Sequence, residues 1–220
     1  MGEMHDGGRG EPGIFNRHAA NNLKPDRRQA RDDFGTNPCG EINLRSGEFC
    51  NLTITIARQD DTLETLKDKV EVATIIGTIQ SMGLNFPGLR QKWVDNCTEE
   101  RLLGVDINGQ LDCPLLVSDD GSIMELLKAH AIEVNKDYAQ RLGINQSASV
   151  TCVKPSGNSS QLFNCSSGLH ARWAPYYVRR VRVGGTSPLL GVLKDAGVPL
   201  SPENGQTAEN AITWVASFPI

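Results

Sequence analysis

Apolar positions recur along this chain in two spacings, and each spacing predicts a different element. The β-branched run Leu52-Thr53-Ile54-Thr55-Ile56, inside Phe49 to Ala57, predicts a strand. From Leu63 to Met82 the apolar residues fall at 63, 66, 70, 73, 76 and 79, the spacing of one helical face, and Gly83 supplies a stop. Gly104 to Asn108 reads as a short strand. A second long helix is expected from Ser122 to Leu142, with Ser122 as its cap and Gly143 as its terminator. Ala148-Ser149-Val150-Thr151-Cys152-Val153 reads as a buried strand that Pro155-Ser156-Gly157 breaks. Tyr176 to Val183 predicts another strand, Pro188 to Ala196 a short helix, and Ala211 to Phe218 a last strand. Residues 1–36 carry little periodicity and read as loop with one short helix. Strands alternating with helices predict an α/β architecture with parallel strands.

Composition narrows the function classes. The chain has 220 residues, enough for one domain of ordinary size, with neither internal repeat nor low-complexity tract. Its 22 basic and 26 acidic residues give no electrostatic reason to expect a nucleic-acid partner. No apolar run approaches the roughly 18–20 residues of a membrane span, so no membrane partner is expected. Met1 to Glu11 is polar and glycine-rich, unlike a signal peptide, and cytoplasmic residence is the expectation. Six cysteines do not make a disulfide scaffold, and the absence of any CxxC argues against a zinc ribbon or a thioredoxin-like motif.

The chemistry concentrates in two segments. Asn37-Pro38-Cys39-Gly40-Glu41-Ile42 is followed by Gly47-Glu48-Phe49-Cys50-Asn51-Leu52, eleven residues separating the two thiols. In an extended segment Asn37, Cys39 and Glu41 share a face and would converge on one small ligand, with Cys50 returning to meet them. A carboxylate beside a thiol disfavours the thiolate, which suits a hydrogen-atom carrier or redox partner better than an acyl-transfer nucleophile. The second segment, Val150 to Gln161, runs from a strand through a small polar turn to a helix start, a geometry that offers N–H groups and hydroxyls to an anion. GxxxxGK[ST] is absent, so it is not a P-loop.

Blander readings stand beside these. Cys97, Cys113, Cys152 and Cys165 read as small buried hydrophobes. Glu41 would otherwise pair with Arg45, and Asn37 would cap a turn before Pro38. Tyr176 and Tyr177 point to opposite faces of a strand and read as structural. Arg179-Arg180-Val181-Arg182 reads as charge lining or ion pairs. His170 has no second ligand at a useful spacing, so no metal site is expected.

The loop resembles the active-site loop of ribonucleotide reductases, most closely the adenosylcobalamin-dependent (class II) branch. Four further segments recur in the same order in that family: Gly10-Glu11-Pro12-Gly13-Ile14, Leu103-Gly104-Val105-Asp106-Ile107-Asn108-Gly109, Val153-Lys154-Pro155-Ser156-Gly157-Asn158, and Ser167-Gly168-Leu169-His170-Ala171-Arg172 with Tyr176-Tyr177-Val178-Arg179-Arg180 after it. The resemblance implies part of a ten-stranded α/β barrel around a central finger loop, with the active-site loop at 35–52 and a phosphate-binding loop at 153–161. It implies Cys39 as the thiyl residue that takes the 3′ hydrogen, Glu41 as general base, Asn37 as the group that holds the ribose hydroxyls, and Cys50 as half of a redox dithiol. Ser156, Gly157, Asn158 and Ser159 would contact substrate phosphates. Adenosylcobalamin would be the cofactor, a ribonucleotide (a triphosphate rather than a diphosphate) the substrate, and a thioredoxin-type protein the reductant.

In that family the partner of Cys50 lies on a strand upstream of this chain, and none of the other four cysteines sits in a matching context. Both ends therefore read as cut, and the expectation is an internal piece of the barrel, poorly stable alone and unable to turn over without the remainder. The competing readings are a piece of an iron-dependent diphosphate reductase and a non-catalytic fragment that at most binds nucleotide. A glycyl-radical reductase is disfavoured, since no such motif is visible.

Overall fold

The β-branched run at Asn51–Ile56 does form a strand, and it lies parallel to Leu103–Asn108 with Leu52 opposite Gly104 and Ile54 opposite Asp106. The computed structural model describes residues 2–8 and 13–220, so residues 10–12 of the first family-like segment lie outside the described residues. In chain order the helices are α1 (Gly2–Gly7), α2 (Arg17–Asn22), α3 (Leu63–Gln80), α4 (Gln91–Glu100), α5 (Pro114–Val117), α6 (Ser122–Leu142), α7 (Ser159–Leu162) and α8 (Pro188–Asp195). The strands are β1 (Gly35–Thr36), β2 (Asn43–Leu44), β3 (Asn51–Ile56), β4 (Leu103–Asn108), β5 (Val178–Gly184), β6 (Leu200–Pro202) and β7 (Thr213–Pro219). Two compact units divide the chain at Ala171 and Arg172.

The first unit is built on β4, whose residues are all buried. Leu103, Val105 and Ile107 point to one face and pack against Leu66, Val70 and Ala73 of α3 and Leu127 and Ala131 of α6. By the two-residue period of a strand, Gly104, Asp106 and Asn108 point to the other face. Helix α3 starts in a capping box: Thr62 Oγ1 accepts from the Thr65 amide and Thr65 Oγ1 accepts from the Thr62 amide. Helix α6 ends at Gly143 as expected, with φ +67. Its start differs from the expectation: Gly121, not Ser122, is the cap residue, and the Asp119 carboxylate accepts from the Gly121 and Ile123 amides.

The strand expected over 148–153 is reduced to one parallel bridge, Thr151 to Val105. Val105 N donates to Val150 O at 2.9 Å and Cys152 N donates to Val105 O at 3.1 Å, after which the chain turns away. Two short helices, rather than one, occupy the N-terminal segment, and α4 was not foreseen because Trp93, Val94 and Cys97 are its only apolar residues.

The second unit corrects the expectation of parallel strands throughout. Here β5, β7 and β6 form an antiparallel sheet in that order, with Leu190 of α8 clustering with Val183 of β5 and Ala216 of β7. Tyr177 precedes β5, and its amide and carbonyl pair with Ile220. Arg182 pairs with Glu203, as an ion-pair reading of the basic run requires.

Asn135 of α6 is the polar pin of the first unit. Its Nδ2 donates to Thr78 and Ser147 hydroxyls at 3.0 Å each, and its Oδ1 accepts from the Ser147 amide at 2.9 Å. Asn135→Ala leaves that buried amide without a partner and is expected to cost about 3 kcal/mol in urea unfolding, whereas a loss under 1 kcal/mol would show that the pin is dispensable.

Candidate functional site

The antiparallel pair β1–β2 makes a small hairpin whose tip is residues 37–42. Asn37 closes it: its amide donates to Ile42 O at 3.2 Å, and its Oδ1 accepts from Ile42 N at 3.1 Å. Gly40 N donates to Asn37 O, and Gly40 takes φ +82. The tip is therefore a turn and not the extended segment expected, because Pro38 and Gly40 favour a reversal over a pleat. Cys39 is exposed on it. Glu41 is half-buried, with its Oε2 buried and without a hydrogen-bond partner. Arg45 does not neutralise it, being engaged with Glu99 at 2.6 Å.

Behind the tip lies a buried charge cluster. Arg28 donates through Nε to Glu100 Oε2 at 2.8 Å, through one terminal nitrogen to Asn43 O at 2.8 Å, and through the other to Glu48 Oε2 at 3.3 Å. Its guanidinium also stacks 4.4 Å over the Phe34 ring. Burial pushes the Glu48 carboxyl up to about 8; the nearby Glu100 charge adds to this, and the Arg45 N–H bond and Arg28 oppose it. Phe49 packs against Trp93 at 4.6 Å and Phe86 at 5.1 Å, which fixes the loop just before Cys50.

Cys50 and Cys152 flank β4 from its two neighbouring segments. A Cβ placed on Gly104 would lie 3.0 Å from Cys152 Sγ and 3.3 Å from Cys50 Sγ. Both thiols are half-buried, which corrects the expectation that Cys152 is a buried core residue. Burial is the largest cause that raises each thiol: Cys152 is pushed up to about 12 and Cys50 further. The negative charge of Glu41 acts on both in the same direction, so all three groups are within electrostatic reach.

Along the same face of β4, Asp106 accepts from Lys154 N at 2.9 Å and from Ser156 Oγ at 3.2 Å, and Asn108 donates to Ser159 Oγ at 3.3 Å. These bonds hold the turn at 153–161. Ser156 is buried at φ +53 with its hydroxyl turned inward, while Gly157 and Asn158 are exposed and the space over Gly157 is open. Helix α7 has four residues, too few for the dipole expected of it. Gly168 packs on the Lys154 carbonyl at φ +51, a close approach that only glycine allows.

Asp106 and Asn108 are the site residues that sequence reasoning missed. Their signal was two polar side chains at alternate positions in an otherwise apolar strand. A cavity of about 680 Å³ opens beside Glu41, with Lys24, Arg27 and Lys128 among its wall. No group of side chains among the described residues is arranged to hold a metal ion, and no helix among them is long and apolar enough to cross a membrane.

Comparison with known proteins gives this geometry its relatives. No family model matches the chain. It is 30% identical over 229 residues to an adenosylcobalamin-dependent ribonucleoside-triphosphate reductase of Lactobacillus gasseri, covering 88% of this chain and 30% of that protein. The Lactobacillus helveticus protein of the same name is 31% identical over 92% of this chain and 31% of its own. A crystal structure of a B12-dependent (class II) ribonucleotide reductase superposes with a TM-score of 0.68 at 25% identity, over 86% of this chain and 29% of that one. The chain is thus homologous to one segment of a ribonucleotide reductase. Its relatives are of the adenosylcobalamin-dependent, class II kind, and the chain spans about a third of their length.

The charge cluster yields a pH test. A carboxyl that binds its proton more tightly in the fold than in the unfolded chain contributes its full stability below the unfolded value and loses it as pH rises through the folded one. Between an ordinary value of 4.5 and about 8, wild-type stability relative to Glu48→Gln should therefore fall with rising pH. Parallel stability curves for the two proteins over that range, in calorimetry, would contradict the assignment.

Proposed function

We propose that this chain is the part of an adenosylcobalamin-dependent ribonucleotide reductase that carries the thiyl cysteine, one redox cysteine and the substrate phosphate loop. The observation that carries the reading is Glu41: a carboxylate oxygen buried without a partner, on the same turn as an exposed thiol and within electrostatic reach of two more. A buried acceptor left unpaired costs free energy that a substrate hydroxyl would restore.

In this reading Cys39 removes the hydrogen from C3′ of the ribose, and Glu41 takes the 3′-hydroxyl proton. Asn37 has its Oδ1 committed to the Ile42 amide, which leaves its NH₂ group to hold a ribose hydroxyl. Loss of the 2′-hydroxyl as water then becomes accessible, and Cys50 supplies reducing equivalents. The corrinoid, when bound, supplies the initiating radical by homolysis of its cobalt–carbon bond. The loop tip fits such a group: Cys39 is exposed, and nothing lies within 4 Å of a Cβ placed on Gly40. The open backbone at Gly157 and Asn158 and the anchored Ser156 and Ser159 are assigned to the substrate phosphates. The names of the relatives support a triphosphate over a diphosphate, and they favour neither the iron-dependent reading nor the non-catalytic one.

The remaining partners are the polypeptide that completes a ten-stranded barrel and a thioredoxin-type reductant. Support for the former comes from β3, which pairs only with β4 among the described residues. Beside its free edge, Ile54 lines a shallow depression with Val72 and Ile76 of α3, a surface that one more parallel strand and its helix would cover.

With the barrel completed, adenosylcobalamin-dependent formation of a deoxyribonucleoside triphosphate is expected, falling at least about 1000-fold in Cys39→Ser. Turnover that persists in Cys39→Ser, or that requires iron instead of the corrinoid, would overturn the reading. Gly157→Trp should weaken nucleotide binding about tenfold or more in calorimetric titration, and unchanged affinity would remove the turn from the site.

A further inference from the structure

A turn that holds substrate phosphates must meet a polyanion, and the turn at 153–161 has few sources of positive charge. Helix α7, with four residues, supplies little dipole. The Asp106 carboxyl holds the turn from β4, and Glu41 stands on the hairpin tip, so the acidic groups nearby work against an anion. Arg58 reaches the far end of the segment, but its guanidinium donates to the Phe163 carbonyl at 2.7 Å and the Asn164 carbonyl at 3.1 Å and is committed to backbone. Lys24, Arg27 and Lys128 wall the cavity beside Glu41 instead. From Val150 to Asn164 the one basic residue is Lys154.

The backbone of Lys154 is held from every side. Its amide donates to Asp106 at 2.9 Å, and its carbonyl lies so close under Gly168 that a Cβ there would approach to 2.4 Å. Pro155 after it restricts it to extended backbone. Its side chain, by contrast, is not tied down. Lys154 is half-buried, and its ammonium makes neither hydrogen bond nor ion pair among the described residues. Two residues beyond Cys152, it takes the facing of that thiol, which lies against Gly104 on the chemistry side of β4. The electrostatics agree, since its positive charge acts on both Asp106 and Cys152.

We infer that Lys154 is the cation that binds the substrate triphosphate, a fixed base carrying a free ammonium over the turn. The inference rests on the phosphate reading of that turn and supplies the charge the turn lacks. An ammonium on a four-carbon stem has three rotatable donors and can serve oxygens of more than one phosphate. Bonds from such a cation to phosphate are charge-assisted, so affinity rises with the number of phosphates the ligand carries. Asp106 sets where the stem begins, and the ligand sets where it ends.

The test is calorimetric titration of the 220-residue chain with CTP, CDP and cytidine. Lys154→Met keeps most of the stem and removes the charge. It should weaken CTP binding at least about tenfold and CDP binding less, leave cytidine unaffected, and leave the urea midpoint where it was. Lys154→Arg should stay within about threefold of wild type for CTP. Added sodium chloride should lower the CTP affinity of wild type more steeply than that of Lys154→Met. Equal CTP affinity in wild type and Lys154→Met overturns the proposal, as does a loss that cytidine or Lys154→Arg shares in full. Gly157→Trp, titrated in parallel, separates the two readings. CTP binding weakened by Gly157→Trp but not by Lys154→Met removes Lys154 alone. The reverse removes the turn and leaves Lys154 as the phosphate cation, and a wild-type chain that binds no CTP removes both.

Discussion

One buried guanidinium holds the site in place. Arg28 is 4% exposed and binds Glu100 at the end of α4, Glu48 in the loop before β3, and the Asn43 carbonyl of β2, so three separate stretches of chain converge on it. Two acidic side chains facing one buried cation are a costly arrangement, and removing the cation would take from both their closest charged partner. What it secures is direction. The hairpin that carries Cys39 and Glu41 is too short to hold itself: two residues per strand cannot bury an apolar face. Its orientation comes instead from Arg28 behind it and from the Phe49–Trp93 stack beyond it.

Most of the first unit was legible because its elements are strongly periodic. Helices α3 and α6 fall where the apolar spacing put them, and Gly143 stops α6 as its lack of a Cβ allows. Legibility failed where few residues decide the outcome. Asp119 took the capping role from Ser122 by reaching forward from the preceding turn, and α4 forms with little apolar signal because its buried face includes Asn96, which donates to the Ser46 carbonyl, and Glu100, which Arg28 holds through one oxygen. In the second unit the direction of β7 depends on a pairing with β5, from Gly184 with Thr213 out to Val178 with Pro219, which no local pattern reveals.

The site shows the same division. Asn37, Cys39, Glu41 and Cys50 were legible as a cluster of residue types, but not as a geometry: the extended pleat assumed for 37–41 is a turn closed by Asn37 itself. Cys152 looked like core filler because its half-buried place against Gly104 depends on a residue 48 positions away in sequence. Asp106 and Asn108 were in plain view in an apolar strand. Their meaning emerged only when β4 was seen to carry the core on one face and the chemistry on the other.

That two-faced strand also acts as a measuring rod. Gly104, Asp106 and Asn108 are successive marks on one rigid edge, and at about 3.3 Å per residue they stand about 7 and 13 Å along from the first. The first mark meets the thiols, and the next two hold the turn assigned to phosphates. A nucleotide laid along this edge would have its sugar and its phosphates registered by covalent backbone geometry, with no adjustable joint between them. A substitution that tilts β4 against α3 or α6 would move both ends together, so the site would lose its aim at the ligand before it lost its own internal spacing.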